Sequence, residues 1–346
     1  MTEINPMVSI VCTNFNKGVF IKQAIDSFLS QDTKFDFEII IIDDASTDVS
    51  KKIIEDYSRK IHNIKAIYNK KNLGITKTWI KACKFAKGKY IARCDGDDYW
   101  IDKHKLQKQI EQLEKNKNSK WSTTDFNMVD VDGKVINYSV FENNLHTIST
   151  TYEEILSTKG FTNPSSWLID TKLMIEINEV IDKNAVDDTF NIQLELFQRT
   201  NLNYLPIAAS AYRFLTESVS RTTNTVKAKT RINKLLKTQL EYLDKYKNVS
   251  FFEMTKFALK LIAVNEEVAV DFKDKIKTLQ SNIDQQKATI DQQKATIDQQ
   301  KATIDQQKAT IDQQKATIDD LQATRIYKLT QKASTIKKKL KGLDNK

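Results

Sequence analysis

Three carboxylates stand together in the segment Asp95-Gly96-Asp97-Asp98-Tyr99-Trp100. The residues before it, Lys89-Tyr90-Ile91-Ala92-Arg93-Cys94, have the apolar pattern of a buried strand, so the cluster lies where a sheet presents ligands. Gly96 lets the backbone turn, and the side chains of Asp95 and Asp97 can then reach one hard cation, which could bridge a diphosphate. A solvated acidic turn is the alternative interpretation, because Asp and Gly are common turn residues.

Polar residues follow two other predicted strands as well. Val8–Cys12 precedes Thr13 and Phe15, and Phe37–Ile42 precedes Asp43. Asp43 could accept a hydrogen bond from a pyrimidine base, while Phe15 offers an apolar ring face and Thr13 a hydroxyl group. The structural alternative is that Phe15 simply packs and that Asp48 or Ser46, in the loop after the second strand, caps the following helix.

The elements that must position these residues alternate between strand and helix along the first part of the chain. This alternation predicts a parallel sheet flanked by helices, which binds ligands beyond the carboxyl ends of its strands. It is a layout typical of nucleotide-binding proteins. The predicted strands are Val8–Cys12, Phe37–Ile42, Ile64–Tyr68 and Lys89–Cys94, and the predicted helices are Phe20–Ser30, Val49–Lys60 and Ile75–Ala86.

In this order the motifs resemble those of the family 2 glycosyltransferases. The resemblance covers roughly residues 7 to 220 and implies an α/β, A-type glycosyltransferase fold, with a Rossmann-like mixed sheet flanked by helices. The motifs that carry it are Val8-Ser9-Ile10-Val11-Cys12-Thr13-Asn14-Phe15-Asn16, Ile41-Ile42-Asp43-Asp44-Ala45-Ser46-Thr47-Asp48, Asn72-Leu73-Gly74-Ile75-Thr76-Lys77, Gly88-Lys89-Tyr90-Ile91-Ala92 and the Asp95 to Trp100 segment.

The resemblance implies a donor site for a nucleotide sugar. Asp97 would bind a divalent cation, Mn²⁺ or Mg²⁺, on the diphosphate, and Asp95 would contact the ribose or the same cation. Oxygen ligands suit both ions, and the cation would stabilise the charge that grows on the leaving diphosphate. The other residues implied in donor binding are Thr13, Phe15, Asp43, Asp44 and Lys77.

Transfer with inversion also needs a base that removes the proton of the acceptor hydroxyl. A candidate is the segment Val186-Asp187-Asp188-Thr189-Phe190, which precedes a predicted helix. A cap of that helix, with no catalytic role, is the alternative interpretation for an aspartate at this position. In the family, an acidic pair at this point, followed by a helix and a later Tyr-Arg strand, carries the base in its second member. Tyr212-Arg213 supplies that strand here. Asp188 is therefore the implied base, or Asp187 if the register is off by one.

The implied function is that of an inverting glycosyltransferase. It would move a sugar from a nucleotide diphosphate sugar, with UDP expected, to a hydroxyl of a glycan or lipid-linked acceptor in bacterial surface polysaccharide synthesis, such as that of capsule or lipopolysaccharide. A nucleotidyltransferase is one alternative, but Thr13 to Gly18 lacks the Gly-rich phosphate loop with a basic residue. A non-catalytic coiled-coil scaffold is the other, and the presence of both Asp97 and Asp188 argues against it.

The sequence Ile-Asp-Gln-Gln-Lys-Ala-Thr occurs five times from Ile283 to Thr317. Seven residues is the coiled-coil period, and isoleucine falls at each a position while glutamine falls at each d position. Because one apolar residue per heptad cannot stabilise a lone helix, we expect a parallel homodimer or homotrimer. A solvated single helix or a partly disordered spacer is the alternative.

Most of the net charge of +9 lies in the last residues of the chain. Arg325 to Lys346 contains eight Lys or Arg and one Asp, so it carries +7. This location argues against a nucleic-acid groove on the folded body. The tail has the pattern of a basic amphipathic helix, which predicts docking on the cytoplasmic face of the inner membrane. The solvated end of the coiled coil is the alternative.

We expect a cytoplasmic protein, because the sequence shows neither a signal-peptide pattern nor a membrane-spanning apolar run. Three cysteines in apolar or helical patterns are expected to be buried thiols. The expected domains are a catalytic domain over 1–220, with a donor half to about 120 and an acceptor half from about 121, a helical extension over 221–270, a coiled coil over 271–324 and a basic tail over 325–346.

Overall fold

The structure is a computed structural model that describes residues 5–185, 187–215 and 224–341. The chain divides into two compact units, Met1–Ala263 and Val264–Lys346. The carboxylate motifs lie in the first unit, and the heptad repeats lie in the second.

The first four strands form a parallel segment of a mixed sheet, in the order β3-β2-β1-β4. Their runs of branched apolar residues suit strands that are covered on both faces. The strands are β1 (Val8–Asn14), β2 (Phe37–Asp43), β3 (Ile64–Tyr68) and β4 (Tyr90–Arg93), and the helices between them are α1 (Ile21–Leu29), α2 (Ser50–Lys60) and α3 (Ile75–Cys83). This part of the fold confirms the predicted order, although α3 ends three residues before the expected Ala86.

The sheet continues beyond β4 with strands that the sequence did not reveal. Its order is β4-β8-β6-β9-β5, and β7 pairs with β6. β8 runs antiparallel to β4, which makes the sheet mixed, as the fold class requires. The bounds are β5 (Tyr99–Trp100), β6 (Trp121–Val129), β7 (Val135–Asn137), β8 (Leu168–Asp170) and β9 (Leu202–Arg213).

Helices and a proline turn connect these later strands. The polar segment from Thr162 to Trp167 is buried and forms a short 3₁₀ turn, Pro164–Ser166, that leads into β8. The helices are α4 (Lys105–Lys115), α5 (Tyr152–Thr158), α6 (Thr171–Val180), α7 (Asp188–Arg199), α8 (Thr225–Lys245) and α9 (Phe251–Lys341).

Two apolar layers cover the two faces of the sheet. Alternate residues of β1 and β2 point to opposite sides, so Ile10 and Ile39 enter one layer while Val11 and Ile40 enter the other. The three cysteines, Cys12, Cys83 and Cys94, are free and buried, as predicted. A third cluster joins α5, α7 and α8. This packing holds the strand ends rigidly at the edge where the carboxylates lie.

The second unit consists of the greater part of α9. The repeated isoleucines, from Ile283 to Ile318, lie at seven-residue spacing and are each about half exposed. This confirms a long helix through the repeats, and the coiled coil itself stays a prediction. Among the residues that the structure describes, no helix is both long and apolar enough to cross a membrane.

Candidate active site

The carboxyl ends of β1, β2 and β4 meet at one edge of the sheet. Asn14 Nδ2 donates to Asp43 Oδ1 at 2.8 Å, and Thr13 Oγ1 donates to Asp95 Oδ1 at 2.8 Å. The amide of Gly96 donates to the carbonyl of Thr13 at 3.0 Å. A Cβ atom on Gly96 would lie 2.8 Å from Asn14 Oδ1, so the close approach of these two loops requires glycine. The structure thus brings Thr13, Asp43 and Asp95 together, as the sequence predicted.

Asp43 is buried and already accepts several hydrogen bonds from the protein. Its carboxylate accepts hydrogen bonds from the backbone amide of Ser46 at 2.9 Å and from the Ser46 hydroxyl at 2.6 Å, in addition to the one from Asn14. A carboxylate has about four acceptor positions, so one further donor can still be accommodated. The contact with a base therefore stays a prediction that this geometry permits.

Phe15 lies on the surface of the same edge, with 42% of its area exposed. The loops on either side of it contain two non-glycine residues in the left-handed region, Asn16 at φ 53° and Ala45 at φ 62°. The Asn16 amide donates to Ser46 Oγ at 2.8 Å, and Asn16 Oδ1 accepts from the Thr47 amide at 2.8 Å. Such backbone conformations persist only where surrounding contacts fix them, and the hydrogen bonds between these two loops supply that restraint.

Asp44 is buried and holds the loop that leads into α3. Its carboxylate accepts hydrogen bonds from the side chain of Asn69 at 2.8 Å and from the amides of Leu73 and Gly74 at 2.8 and 2.9 Å. Lys77 lies on the first turn of α3 and is exposed. Asp44 therefore fixes the segment that carries Lys77, which gives it a structural role beside any contact with a donor.

Asp95 and Asp97 are the partly exposed carboxylates of the cluster, with 25% and 22% of their side-chain area accessible. Asp97 Oδ2 lies 2.6 Å from the ammonium group of Lys17. Among the described residues, no group of three or more His, Cys, Asp or Glu is arranged to hold a metal ion. Two carboxylates fit Mg²⁺ or Mn²⁺ nevertheless, because such ions commonly combine one or two protein carboxylates with substrate phosphates and water.

Asp98 has a different environment from its neighbours, because it is buried between β5 and β9. Its carboxylate accepts the Arg213 amide at 2.8 Å and the hydroxyl of Ser165. Burial raises the pKa of Asp98 well above its ordinary value, and the nearby charge of Asp97 raises it further. Arg213 Nε in turn donates to the carbonyl of Asp97 at 3.0 Å. Asp98 and Arg213 therefore brace the loop that presents Asp97.

Asp188 is the first residue of α7, and only 1% of its area is exposed. Its Oδ2 lies 2.7 Å from Nη1 of Arg93, which is also fully buried. Burial raises the pKa of Asp188, and the adjacent guanidinium opposes that rise. The same guanidinium reaches Asp95 Oδ2 at 3.4 Å. The guanidinium of Arg93 therefore lies between the carboxylates of Asp188 and Asp95 and contacts both.

Asp187 is the N-cap of α7, the role that the sequence left open for one aspartate of this pair. Its Oδ1 accepts from the Phe190 amide at 3.2 Å and from Thr189 Oγ1 at 2.6 Å, and its Oδ2 pairs with Arg231 of α8. Its side chain is 23% exposed. Val186, which precedes the pair, lies outside the described residues.

Three basic residues of this region were missed in the sequence, namely Lys17, Arg93 and Arg231. Arg93 carried a usable signal, since an arginine inside the apolar run Tyr90 to Cys94 must have a buried partner. Lys17 and Arg231 occur in polar patterns that do not distinguish them from surface residues.

Comparisons with known proteins agree with this geometry. Residues 9–176 match the family described as glycosyl transferase family 2. Over 110 residues, or 32% of this chain and 32% of the relative, the sequence is 38% identical to an uncharacterized protein of Mycobacterium tuberculosis. It is also 33% identical over 133 residues to the putative teichuronic acid biosynthesis glycosyltransferase TuaG of Bacillus subtilis, a match covering 38% of this chain and 52% of TuaG. The chain thus spans between a third and a half of the length of these relatives.

Solved structures show the same fold. S. aureus TarS 1-349 in complex with UDP-GlcNAc superimposes with a TM-score of 0.55 and 19% identity, covering 74% of this chain and 71% of TarS 1-349. The mixed sheet flanked by helices is therefore an A-type glycosyltransferase fold. Residues 9–176, the part of the chain that matches glycosyl transferase family 2, lie within this fold.

Proposed function

We propose that this chain is a metal-dependent, inverting glycosyltransferase. It would transfer a sugar from a nucleotide diphosphate sugar, with UDP as the favoured nucleotide, to a hydroxyl of a glycan or lipid-linked acceptor in bacterial surface polysaccharide synthesis. The observation that carries the proposal is the meeting of Asp95 and Asp188 through Arg93, in the part of the chain that contains the family 2 match. The name of TuaG supports the pathway, and the UDP-GlcNAc complex of TarS supports the donor class.

The donor diphosphate is proposed to lie against the partly exposed carboxylates of Asp95 and Asp97. Mn²⁺ or Mg²⁺ held there would act as a Lewis acid on the leaving group. The base of the nucleotide would contact Asp43, Phe15 and Thr13. Asp44 and Lys77 complete the proposed donor site, Asp44 chiefly by holding the loop before α3.

Asp188 is proposed as the base that takes the proton of the acceptor hydroxyl, with Asp187 as the alternative. Arg93 contacts Asp188 through Oδ2, so the other carboxylate oxygen does not take part in that ion pair. Asp187 is more exposed, but its two oxygens serve the N-cap, Thr189 and Arg231. Asp188 is the better candidate for the base, because it has an oxygen outside the ion pair, whereas Asp187 is already needed as the helix cap.

A panel of nucleotide sugars in Mn²⁺ tests the donor site by thermal shift. A cognate donor at 100 times its Kd stabilises the folded protein by about 2.7 kcal/mol. We expect a UDP-sugar to give this shift and expect EDTA or Asp97→Ala to abolish it. If no nucleotide sugar shifts the transition in Mn²⁺, the donor site is refuted and the non-catalytic scaffold becomes the better account.

The heptad repeats are proposed to join two or three copies of the chain in parallel through the stripe from Ile283 to Ile318. Apolar a positions on a solvated helix gain stability only when a partner covers them. Sedimentation equilibrium of the full chain should give a dimer or trimer, and replacing Ile290, Ile297 and Ile304 with Asn should give a monomer. A wild-type monomer at micromolar concentration would refute the proposal.

The basic tail over 325–346 is proposed to dock on an anionic membrane, which would place the protein at the cytoplasmic face of the inner membrane. Residues 342–346 lie outside the described part of the chain. Flotation with vesicles of phosphatidylglycerol and phosphatidylcholine should recover the full chain, and deletion of 325–346 should abolish recovery. Equal recovery of the full chain and the deletion variant with the vesicles would contradict the proposal.

A further inference from the structure

Arg93 is a buried cation at the end of β4, and none of its area is exposed. Its guanidinium lies 4.5 Å from the ring centroid of Trp79 and 5.8 Å from that of Trp167. An ionised group in the interior is costly unless it is paired and hydrogen-bonded, and aromatic faces offset only part of that cost. The position of Arg93 therefore has to be explained by its carboxylate partners.

Those partners come from two separate parts of the proposed active site. Nη1 donates to Asp188 Oδ2 at 2.7 Å, and Nη2 donates to Asp95 Oδ2 at 3.4 Å. The other oxygen of Asp95 accepts from Thr13 at the end of β1. The planar fork of a guanidinium suits this arrangement, because its donors leave in fixed directions toward two acceptors.

We propose that Arg93 is a positioning residue that fixes the base Asp188 relative to the donor carboxylate Asp95. This inference rests on the proposed function and deepens it, because it names the side chain that joins the donor half of the site to the base. The rings of Trp79 and Trp167 lie beside the guanidinium, so the group that contacts Asp188 is itself enclosed by the core. A misplacement of about 1 Å in such a geometry can slow the transfer step by about 100-fold.

A purely structural role makes a different prediction. If Arg93 only neutralised charge in the core, its loss would lower stability and would reduce activity only in proportion to the folded fraction. If it positions Asp188, the folded variant binds the donor yet transfers slowly, and a guanidinium supplied from solution restores the rate. Lysine would restore it poorly, because a single ammonium cannot serve both carboxylates in one plane.

The experiment compares wild type with Arg93→Ala and Arg93→Lys, using release of UDP from the donor identified by thermal shift. We expect kcat of Arg93→Ala to fall about 100-fold or more, with the Kd for UDP within about threefold of wild type. Methylguanidinium should raise that kcat at least about tenfold. Arg93→Lys should fold and stay at least about tenfold below wild type.

Arg199→Ala is the matched control, because it removes a guanidinium ion pair with Glu195 farther along α7. We expect it to keep the wild-type kcat and to show no response to methylguanidinium. Circular dichroism and the Kd for UDP establish that each variant is folded.

The outcomes separate this inference from the proposed function. If the wild type is active and folded Arg93→Ala or Arg93→Lys has the same kcat, the inference alone is overturned. It is also overturned if Arg93→Ala is slow and methylguanidinium does not restore its kcat. Failure of both variants to fold would assign Arg93 to the stability of the core and also overturn it. Absence of turnover in the wild type with every donor overturns the proposed function and the inference together.

Discussion

The ammonium group of Lys17 lies 2.6 Å from Asp97 Oδ2, so a lysine of the loop after β1 neutralises the carboxylate proposed to hold the metal. Both side chains are partly exposed. A lysine at this distance competes with a divalent cation for the same oxygen, because the two positive charges repel each other. The contact therefore describes the site without a donor, and it predicts how the site should respond when Lys17 is removed.

Lys17→Met should bind Mn²⁺ more tightly than wild type in the absence of nucleotide. Loss of one nearby positive charge is worth about 1 kcal/mol at a partly exposed site, which corresponds to roughly a threefold to tenfold lower Kd. Electron paramagnetic resonance of free Mn²⁺ measures this directly. Lys22→Met, which removes an exposed lysine paired with Asp26 on α1, is the matched control. Equal Kd values for Lys17→Met and this control would contradict the competition.

Substitutions of Asp44 and Lys77 should have different effects, with Asp44 needed for stability and Lys77 for donor binding. Asp44→Asn loses an acceptor for the loop amides of Leu73 and Gly74, and we expect the free energy of unfolding to fall by about 1–3 kcal/mol. Lys77→Met should change it by less than about 0.5 kcal/mol. It should instead weaken UDP binding by roughly tenfold, or about 1.4 kcal/mol. Urea unfolding and calorimetric titration check the two variants, and unchanged UDP affinity in Lys77→Met would remove it from the donor site.

Lys105 should make the stability of the fold depend on pH. It is fully buried over the ring of Trp100, 4.2 Å from its centroid, and donates to Gln109 Oε1 at 2.7 Å. Burial lowers the pKa of Lys105 from 10.5 to about 7. Between those values the unfolded chain binds a proton that the folded protein lacks, so stability rises with pH by at most about 1.4 kcal/mol per unit. Below about pH 7 both states are protonated, and this slope disappears.

Lys105→Met should therefore be more stable than wild type at pH 6, and its advantage should narrow as the pH rises from about 7 to 10. Tryptophan fluorescence in urea can follow unfolding, because all four tryptophans lie between residues 79 and 167. Lys115→Met, at the exposed end of α4, serves as the control and should follow the wild-type curve. A constant difference between Lys105→Met and wild type at every pH would contradict the linkage.

The parallel segment from β1 to β4 was predictable because its pattern is local. Branched apolar runs separated by helical periods gave β1 to β4 in their correct order. The later strands were not predictable, because β5 has two residues and pairs with Ser210 and Ala211, over a hundred residues away. Polar residues of β6, such as Thr123 and Asp125, are buried because their side chains form hydrogen bonds in the interior, and a hydropathy pattern does not show such bonds.

The candidate site was predicted partly from residue type and position and partly from the family resemblance. Asp95 and Asp97 follow a predicted strand, which indicated a cation site, whereas Asp188 was proposed as the base through the resemblance. Their partners could not be predicted, because Arg93 and Asp188 are 95 residues apart in the sequence and come into contact only in the folded protein. The same limit hid the structural role of Asp44, whose donors all come from the loop before α3.

The proposed sugar transfer from the site at Asp97 needs a carboxylate of the Asp187-Asp188 pair as its base. UDP release in Mn²⁺ by wild type, Asp188→Asn and Asp187→Asn, with the Kd for UDP determined for each, tests this role directly. We predict that Asp188→Asn loses about 100-fold or more in kcat with unchanged UDP affinity. Asp187→Asn should lose mainly stability, because it caps α7. Wild-type turnover in folded Asp188→Asn would contradict the assignment of Asp188, and wild-type turnover in both variants would contradict the account as a whole.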